Sequence, residues 1–174
     1  MDQVVLNEEI HQALFHDLIP SAKKFLWIAT ADLKDLHYQR TAKKFDTFLS
    51  LFDDLIEDGI EIRLIHAKEP GPRFREDFDR FPNLISSDRF ERVLCPRNHM
   101  KCVIVDGTRA FLGSANLTGA GMGAKSVRRR NFECGMMLSS EETVQPLMEM
   151  FDQLFMGEHC IACDRRDICP DPIV

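Results

Sequence analysis

No stretch of this chain approaches the ~20 consecutive apolar residues that a membrane-spanning helix needs, which excludes such a span. The first residues, Met1-Asp-Gln-Val-Val-Leu-Asn-Glu-Glu, lack the basic and apolar regions of a signal peptide, so the expected location is cytoplasmic. Excess positive charge is missing too. Lys and Arg number 22 against 28 Asp and Glu, a formal net charge of −6. Nucleic-acid binders that ignore sequence draw their affinity from phosphate neutralisation and usually carry a basic balance. The sum argues against that class, although the distribution of charge matters more than the sum. Internal repeats and low-complexity segments are also absent. What is there is ordinary: 174 residues, 44% hydrophobic and 29% charged, enough for one soluble domain with a proper core.

Periodicity orders the chain. Residues 8–18 read as a helix and Lys24 to Thr30 as a buried strand. Phe45, Phe48, Leu49, Phe52, Leu55 and Ile56 recur at three- and four-residue spacing, which predicts an amphipathic helix over 39–58 stopped by Gly59. Glu61 to Ile65 is the next strand, parallel to the first through a βαβ unit. Pro70-Gly-Pro72 marks a loop, 73–81 a short helix, and Arg89 to Cys95 a strand. A strand over 131–138 and a helix over 141–156, with Val144, Leu147, Met148, Phe151 and Leu154 on one face, complete the pattern. The expected fold is α/β, a mixed, mostly parallel central sheet with helices on both faces. Met148, Met150 and Met156 read as core or near-core fillers.

The chemistry concentrates in Asn98-His-Met-Lys-Cys-Val-Ile-Val-Asp-Gly107 and Gly113-Ser-Ala-Asn-Leu-Thr118. The pattern is H-x-K-x4-D, six residues, then G-S-x-N. A β-branched run ending in Asp106-Gly107 predicts a hairpin whose second strand is Arg109 to Gly113. Side chains alternate faces, so His99 and Lys101 point the same way and Val103 and Val105 continue that face into the core. One pole then holds His99, Lys101, Ser114 and Asn116. Asp106 lies at the other pole, where it braces the structure. A lone histidine is more often structural, but here an imidazole comes with an ammonium, a hydroxyl and a carboxamide. That set can attack a phosphodiester and hold its oxygens. Thr118 is expected to cap the segment that follows.

These residues closely resemble the signature of the phospholipase D superfamily, matched at His99, Lys101, Asp106, Gly113, Ser114 and Asn116. The resemblance spans roughly Phe25 to Phe155 and implies a phospholipase D-like α/β/α sandwich. It implies that His99 attacks phosphorus to form a phosphohistidine, that Lys101 and Asn116 hold the phosphoryl oxygens with help from Ser114, and that no metal or other cofactor takes part in catalysis. It also implies an acidic residue on a later strand bonding the imidazole; Glu133, in Arg130-Asn-Phe-Glu-Cys-Gly-Met-Met137, is the candidate. Only one copy of the motif is present. The other H-x-K, His66-Ala-Lys68, has Arg73 where the aspartate would stand and no G-S-x-N after it. Since family enzymes build one site from two motifs, a homodimer with a two-fold axis is implied. The second His99 would then protonate the leaving group and activate water. One neutral and one protonated imidazole suit near-neutral pH, given a reference pKa of about 6.5.

Small single-motif members without an anchor look most like nucleases, which makes DNA or RNA the expected substrate. Lys125, Arg128, Arg129 and Arg130 read either as a phosphate-tracking rim or as a solvated loop. Two other functions stay open. One is phospholipid cleavage or phosphatidyl transfer, against which no basic amphipathic helix or apolar lip is evident. The other is a non-catalytic nucleic-acid-binding module.

The motif domain is expected over 1–156, followed by a cysteine-containing tail over 157–174. His159, Cys160, Cys163 and Cys169 give H-C-x2-C-x5-C, and the first pair has zinc-knuckle spacing. A fourth ligand is His159, Cys95 or Cys134. A structural zinc site, reduced cysteines on a loose tail and an iron–sulfur cluster are the three readings. Cys102 and Cys134, on expected strands, read as buried apolar residues. A disulfide framework does not suit a cytoplasmic chain.

Overall fold

The computed structural model describes every residue except Asp35, Ala42 and Val174. Its strands are β1 (Gln3–Leu6), β2 (Phe25–Thr30), β3 (His37–Thr41), β4 (Lys44–Thr47), β5 (Glu61–His66), β6 (Phe90–Leu94), β7 (Cys102–Val105), β8 (Arg109–Gly113) and β9 (Cys134–Leu138). Its α-helices are α1 (Glu8–Gln12), α2 (Phe48–Glu57), α3 (Pro72–Phe78), α4 (Pro82–Ser86) and α5 (Glu141–Phe155). The expected helix over 8–18 is present, but α1 widens into a π turn at Ala13–Leu18 and tightens into a 3-10 turn at Ile19–Ser21.

Seven strands form one sheet in the order β1-β9-β8-β7-β2-β5-β6. Only β2–β5 and β5–β6 pair in parallel; the other neighbours run antiparallel. The sheet is mixed, as expected, but antiparallel pairings outnumber the parallel ones. After β6 the chain no longer crosses over through helices. It turns back at the motif, hairpins through β7 and β8, and antiparallel pairing follows.

Alternation along the strands sorts two cores. Val103, Val105 and Phe111 join Leu26, Ile28, Ile62 and Leu64 under the helices α1 and α2. Cys102, Ile104, Ala110, Ala29 and Ile65 face Val144, Phe151 and Phe155 of α5. Helices therefore cover both faces of the sheet.

Two expectations fail. Residues 39–41 and 44–47 are not helical. They belong to the hairpin strands β3 and β4, and Phe45, in phase with the helix, is 65% exposed. Thr47 has extended backbone, so α2 starts only at Phe48; from there on the helical spacing holds, and Phe48, Leu49, Phe52, Leu55 and Ile56 are buried. Gly59 ends the turn at φ +85°, as foreseen. Met150, which α5 turns away from the sheet, and Met156, just past its end, are exposed; of the three only Met148 packs on the core. Among the described residues, no helix is long and apolar enough to cross a membrane.

Candidate active site

The motif lies where β2, β5 and β6 end and β7 begins, at the carboxyl edge of the parallel strands. His99 and Lys101 precede β7 in extended chain, and the Gly113 N–H donates to the Lys101 carbonyl (3.1 Å), continuing the hairpin. Both side chains leave on the face that Val103 and Val105 continue. The His99 ring is exposed while Lys101 is buried. The Lys101 ammonium donates to the His99 carbonyl (2.8 Å) and stands 3.2 and 3.3 Å from the two ring nitrogens. Burial holds that ammonium below the usual lysine range, and the Glu133 charge pulls the other way. A cation is thus fixed beside an open imidazole with little water around it.

Asn116 is oriented by the end of β2. Its carboxamide oxygen accepts from the backbone N–H groups of Ala31 and Asp32, both at 3.1 Å. The amide nitrogen then faces away as a donor. Ser114 donates to the Glu133 carboxylate, and its own oxygen accepts from the Cys134 N–H (3.1 Å). Glu133 also accepts from the Asn131 amide at 2.9 Å. Among the described residues, Glu133 therefore makes its bonds to Ser114 and Asn131 and none to His99, which corrects the expected carboxylate–imidazole bond. Glu133 sits at the mouth of β9, level with Ser114, because β8 and β9 pair through Gly113 and Gly135. The Phe111 ring lies against both glycines. A Cβ on Gly113 would come within 2.6 Å of it and one on Gly135 within 2.3 Å, so neither position admits a side chain.

Asp106 is at the far end of the hairpin. With φ +52° it turns its carboxylate onto the backbone N–H groups of Lys23, Lys24 and Phe25 at 2.8–3.0 Å. It fixes the entry to β2 and stands apart from His99. Thr118 accepts from the Gly121 N–H, the expected cap. Of the basic cluster, Lys125, Arg128 and Arg129 are exposed, whereas Arg130 is paired with Glu8 at 3.2 Å. Val127 and Phe132 on the same loop are exposed, Phe132 to 97%, an apolar lip not evident from the sequence.

Several residues that hold the site were not singled out by their pattern. Asn98 is buried; its amide donates to the carbonyls of Thr30 (3.0 Å) and Ile65 (3.4 Å), and its oxygen accepts from Met100 N–H (3.1 Å). The Thr30 hydroxyl accepts from Leu117 N–H (2.9 Å) and donates to the Asp32 carbonyl (2.8 Å). Asn7, at φ +50°, donates its N–H to the Glu133 carbonyl and accepts the Glu133 N–H on its side chain. No spacing rule marks the long-range bonds among these, which join residues 33 to 126 positions apart, save that left-handed backbone favours asparagine. Arg97 and Arg165 line the open groove of about 350 Å³ that also holds His99 and Asn98.

The tail departs from the zinc expectation. Among the described residues, no three His, Cys, Asp or Glu side chains stand close enough to hold one metal ion, so His159, Cys160, Cys163 and Cys169 do not form a closed zinc site. Cys134 is exposed rather than buried. Cys102 is buried, and burial pushes its thiol up to about 12.

Comparison with known proteins agrees with this fold. The family described as cardiolipin synthase, phospholipase D-like domain, matches residues 15–155. NucT from Helicobacter pylori superposes with a TM-score of 0.62 at 16% identity, covering 88% of this chain and 94% of that one. Nuc from Salmonella typhimurium, a phospholipase D family member, gives 0.60 at 15%, covering 88% and 92%. The phosphatidylserine synthase of Haemophilus influenzae Rd KW20 gives 0.62 at 16%, but this chain spans only 38% of it. Among curated proteins, none matches.

Proposed function

The chain belongs to the phospholipase D superfamily, and we propose that it is a metal-independent phosphodiesterase that cuts nucleic acid through a phosphohistidine at His99. The observation that carries this reading is the exposed His99 ring beside the fixed Lys101 ammonium, at one pole with Ser114 and Asn116. In the proposed cycle a ring nitrogen of His99 attacks phosphorus, and the phosphorus–oxygen bond to the leaving group breaks. His99 of a second copy gives that oxygen its proton, then takes one from the water that hydrolyses the phosphohistidine. Lys101 and the Asn116 amide nitrogen stabilise the equatorial oxygens. Arg97 and Arg165, which share the groove with His99, supply the cations that the net charge of the chain does not. The exposed Lys125, Arg128 and Arg129 offer further cations for the phosphate backbone.

The homodimer has structural support. Val4, Met136 and Leu112 stand in register across β1, β9 and β8 beyond the reach of α5, and all three are exposed, as is Leu6. This apolar row flanks the pole that carries Ser114 and Glu133, and a second copy is the occupant the single motif calls for.

Phe132 and Val127 favour a second reading. Exposed apolar side chains on a basic loop beside Glu133 suit a lipid interface, and with it phosphatidyl cleavage or transfer. Labelled single- and double-stranded DNA and RNA and mixed phospholipid vesicles, each in excess EDTA with wild type and His99→Ala, separate the readings. Nucleic-acid cleavage lost in His99→Ala is the expected result. Lipid turnover alone would establish the second reading, and binding of nucleic acid without cleavage would leave a non-catalytic module.

A further inference from the structure

The unused cysteines converge. Cys95, at the end of β6, and the tail residues Cys160, Cys163 and Cys169 all line one cavity of about 120 Å³, and all four are free, half-buried thiols. We propose that these four cysteines hold an iron–sulfur cluster of the four-iron, four-sulfide class, which staples the tail to the strand that leads into His99.

The four-cysteine lining suits a cluster better than a single zinc ion. A zinc ion draws its sulfurs to about 2.3 Å around one point. Here the thiols ring a space instead, and among the described residues no three ligand-type side chains converge on a point. A four-iron cluster is itself several ångström across and takes one thiolate at each corner, so it needs four cysteines around a cavity. The ring supplies four, three from C-x2-C-x5-C-P and one from a strand 65 residues earlier in the chain. Each sulfur releases its thiol proton as it bonds iron, and the ligated cluster carries net negative charge. Arg97 and Arg165 line the same cavity and place positive charge beside it. Val93, Leu94, Leu154 and Ile173 supply an apolar wall that limits access of water.

The tail is already laid on the sheet in the manner a staple requires. The Leu94 N–H donates to Asp171 (3.2 Å), the Cys169 thiol approaches the Leu94 carbonyl at 4.0 Å, and Arg165 donates to the Pro96 carbonyl (3.2 Å). Cys95 is hydrogen-bonded to the His66 carbonyl and by the Asn98 N–H, both at 2.8 Å. The proposed centre therefore abuts Pro96-Arg97-Asn98-His99, and its loss should loosen the tail and that loop together.

The test is the metal content of the full chain, purified without oxygen and, in parallel, supplied with ferrous iron and sulfide under a thiol reductant. About four irons and four acid-labile sulfides per chain are expected, with a broad visible absorption that oxygen bleaches. Cys95→Ser should lose most of the iron while Cys134→Ser keeps it. Limited proteolysis should reach residues 157–174 only after the cluster is removed. Because Cys95→Ser could misfold, the wild-type stoichiometry stands as an independent test. One zinc per chain without sulfide, failure of the folded wild type to take up iron, or full iron in Cys95→Ser would each overturn the proposal. None of these readouts depends on what the enzyme cleaves.

Discussion

Asn98→Ala removes one amide that ties three chain segments together beneath the site. The side chain is almost fully buried and joins the end of β2 (Thr30 carbonyl), the end of β5 (Ile65 carbonyl) and the lead into β7 (Met100 N–H). Alanine leaves a part-buried N–H and a buried carbonyl without these partners, and removes a third contact that is already long. Each unsatisfied group costs about 1–3 kcal/mol, so a loss of about 2–4 kcal/mol is expected after partial relaxation. In a domain of this size that lowers the melting temperature by about 5–15 °C. His99 is the next residue, so activity should fall further than stability alone explains when measured well below the melting temperature. Urea denaturation with wild type alongside gives the first quantity, and turnover at low temperature the second. A change below about 0.5 kcal/mol, typical of an unconstrained surface site, together with unchanged turnover would refute the reasoning.

Two further perturbations separate structural from chemical roles. Asp106→Asn keeps one acceptor oxygen but loses the charge that receives three backbone N–H groups; a loss of about 2–3 kcal/mol is expected. Turnover of the folded variant should match wild type, whereas lost turnover at full stability would place Asp106 in the chemistry. His66 is fully buried, bonded at 2.8 Å to the Lys68 carbonyl, and burial lowers its pKa from the ordinary 6.5. The unfolded chain then binds the proton first, so this contribution to stability is whole above about pH 6.5 and shrinks as pH falls towards the folded value. Denaturation free energies from pH 7.5 down to 5 should show a slope that His66→Gln reduces; equal slopes would remove His66 from the account.

Much of this molecule is legible from its residues because the signals are local. The β-branched run before Asp106-Gly107 makes the hairpin, and period-two alternation puts His99 and Lys101 on the side of Val103 and Val105. The buried strands β2 and β5 and the stop at Gly59 read equally well. Residues 39–41 and 44–47 did not, because Phe45 continues the helical spacing while β3 and β4 win through tertiary pairing. The hidden part of the site is long-range. Asn98, Thr30 and Asn7 act through bonds to segments far away in the chain, and Ser114 takes the carboxylate meant for the imidazole. Likewise, C-x2-C-x5-C suggests a metal, but only folding brings Cys95 to it.

The most direct test of the central claim is rapid acid-free quenching of enzyme with a labelled phosphodiester substrate, followed by denaturation and peptide mapping of any covalent adduct. The account predicts a phosphoryl group on His99, formed in EDTA, appearing before product and missing in His99→Ala. Product formed without an adduct, an adduct on another residue, or cleavage that survives His99→Ala would contradict it.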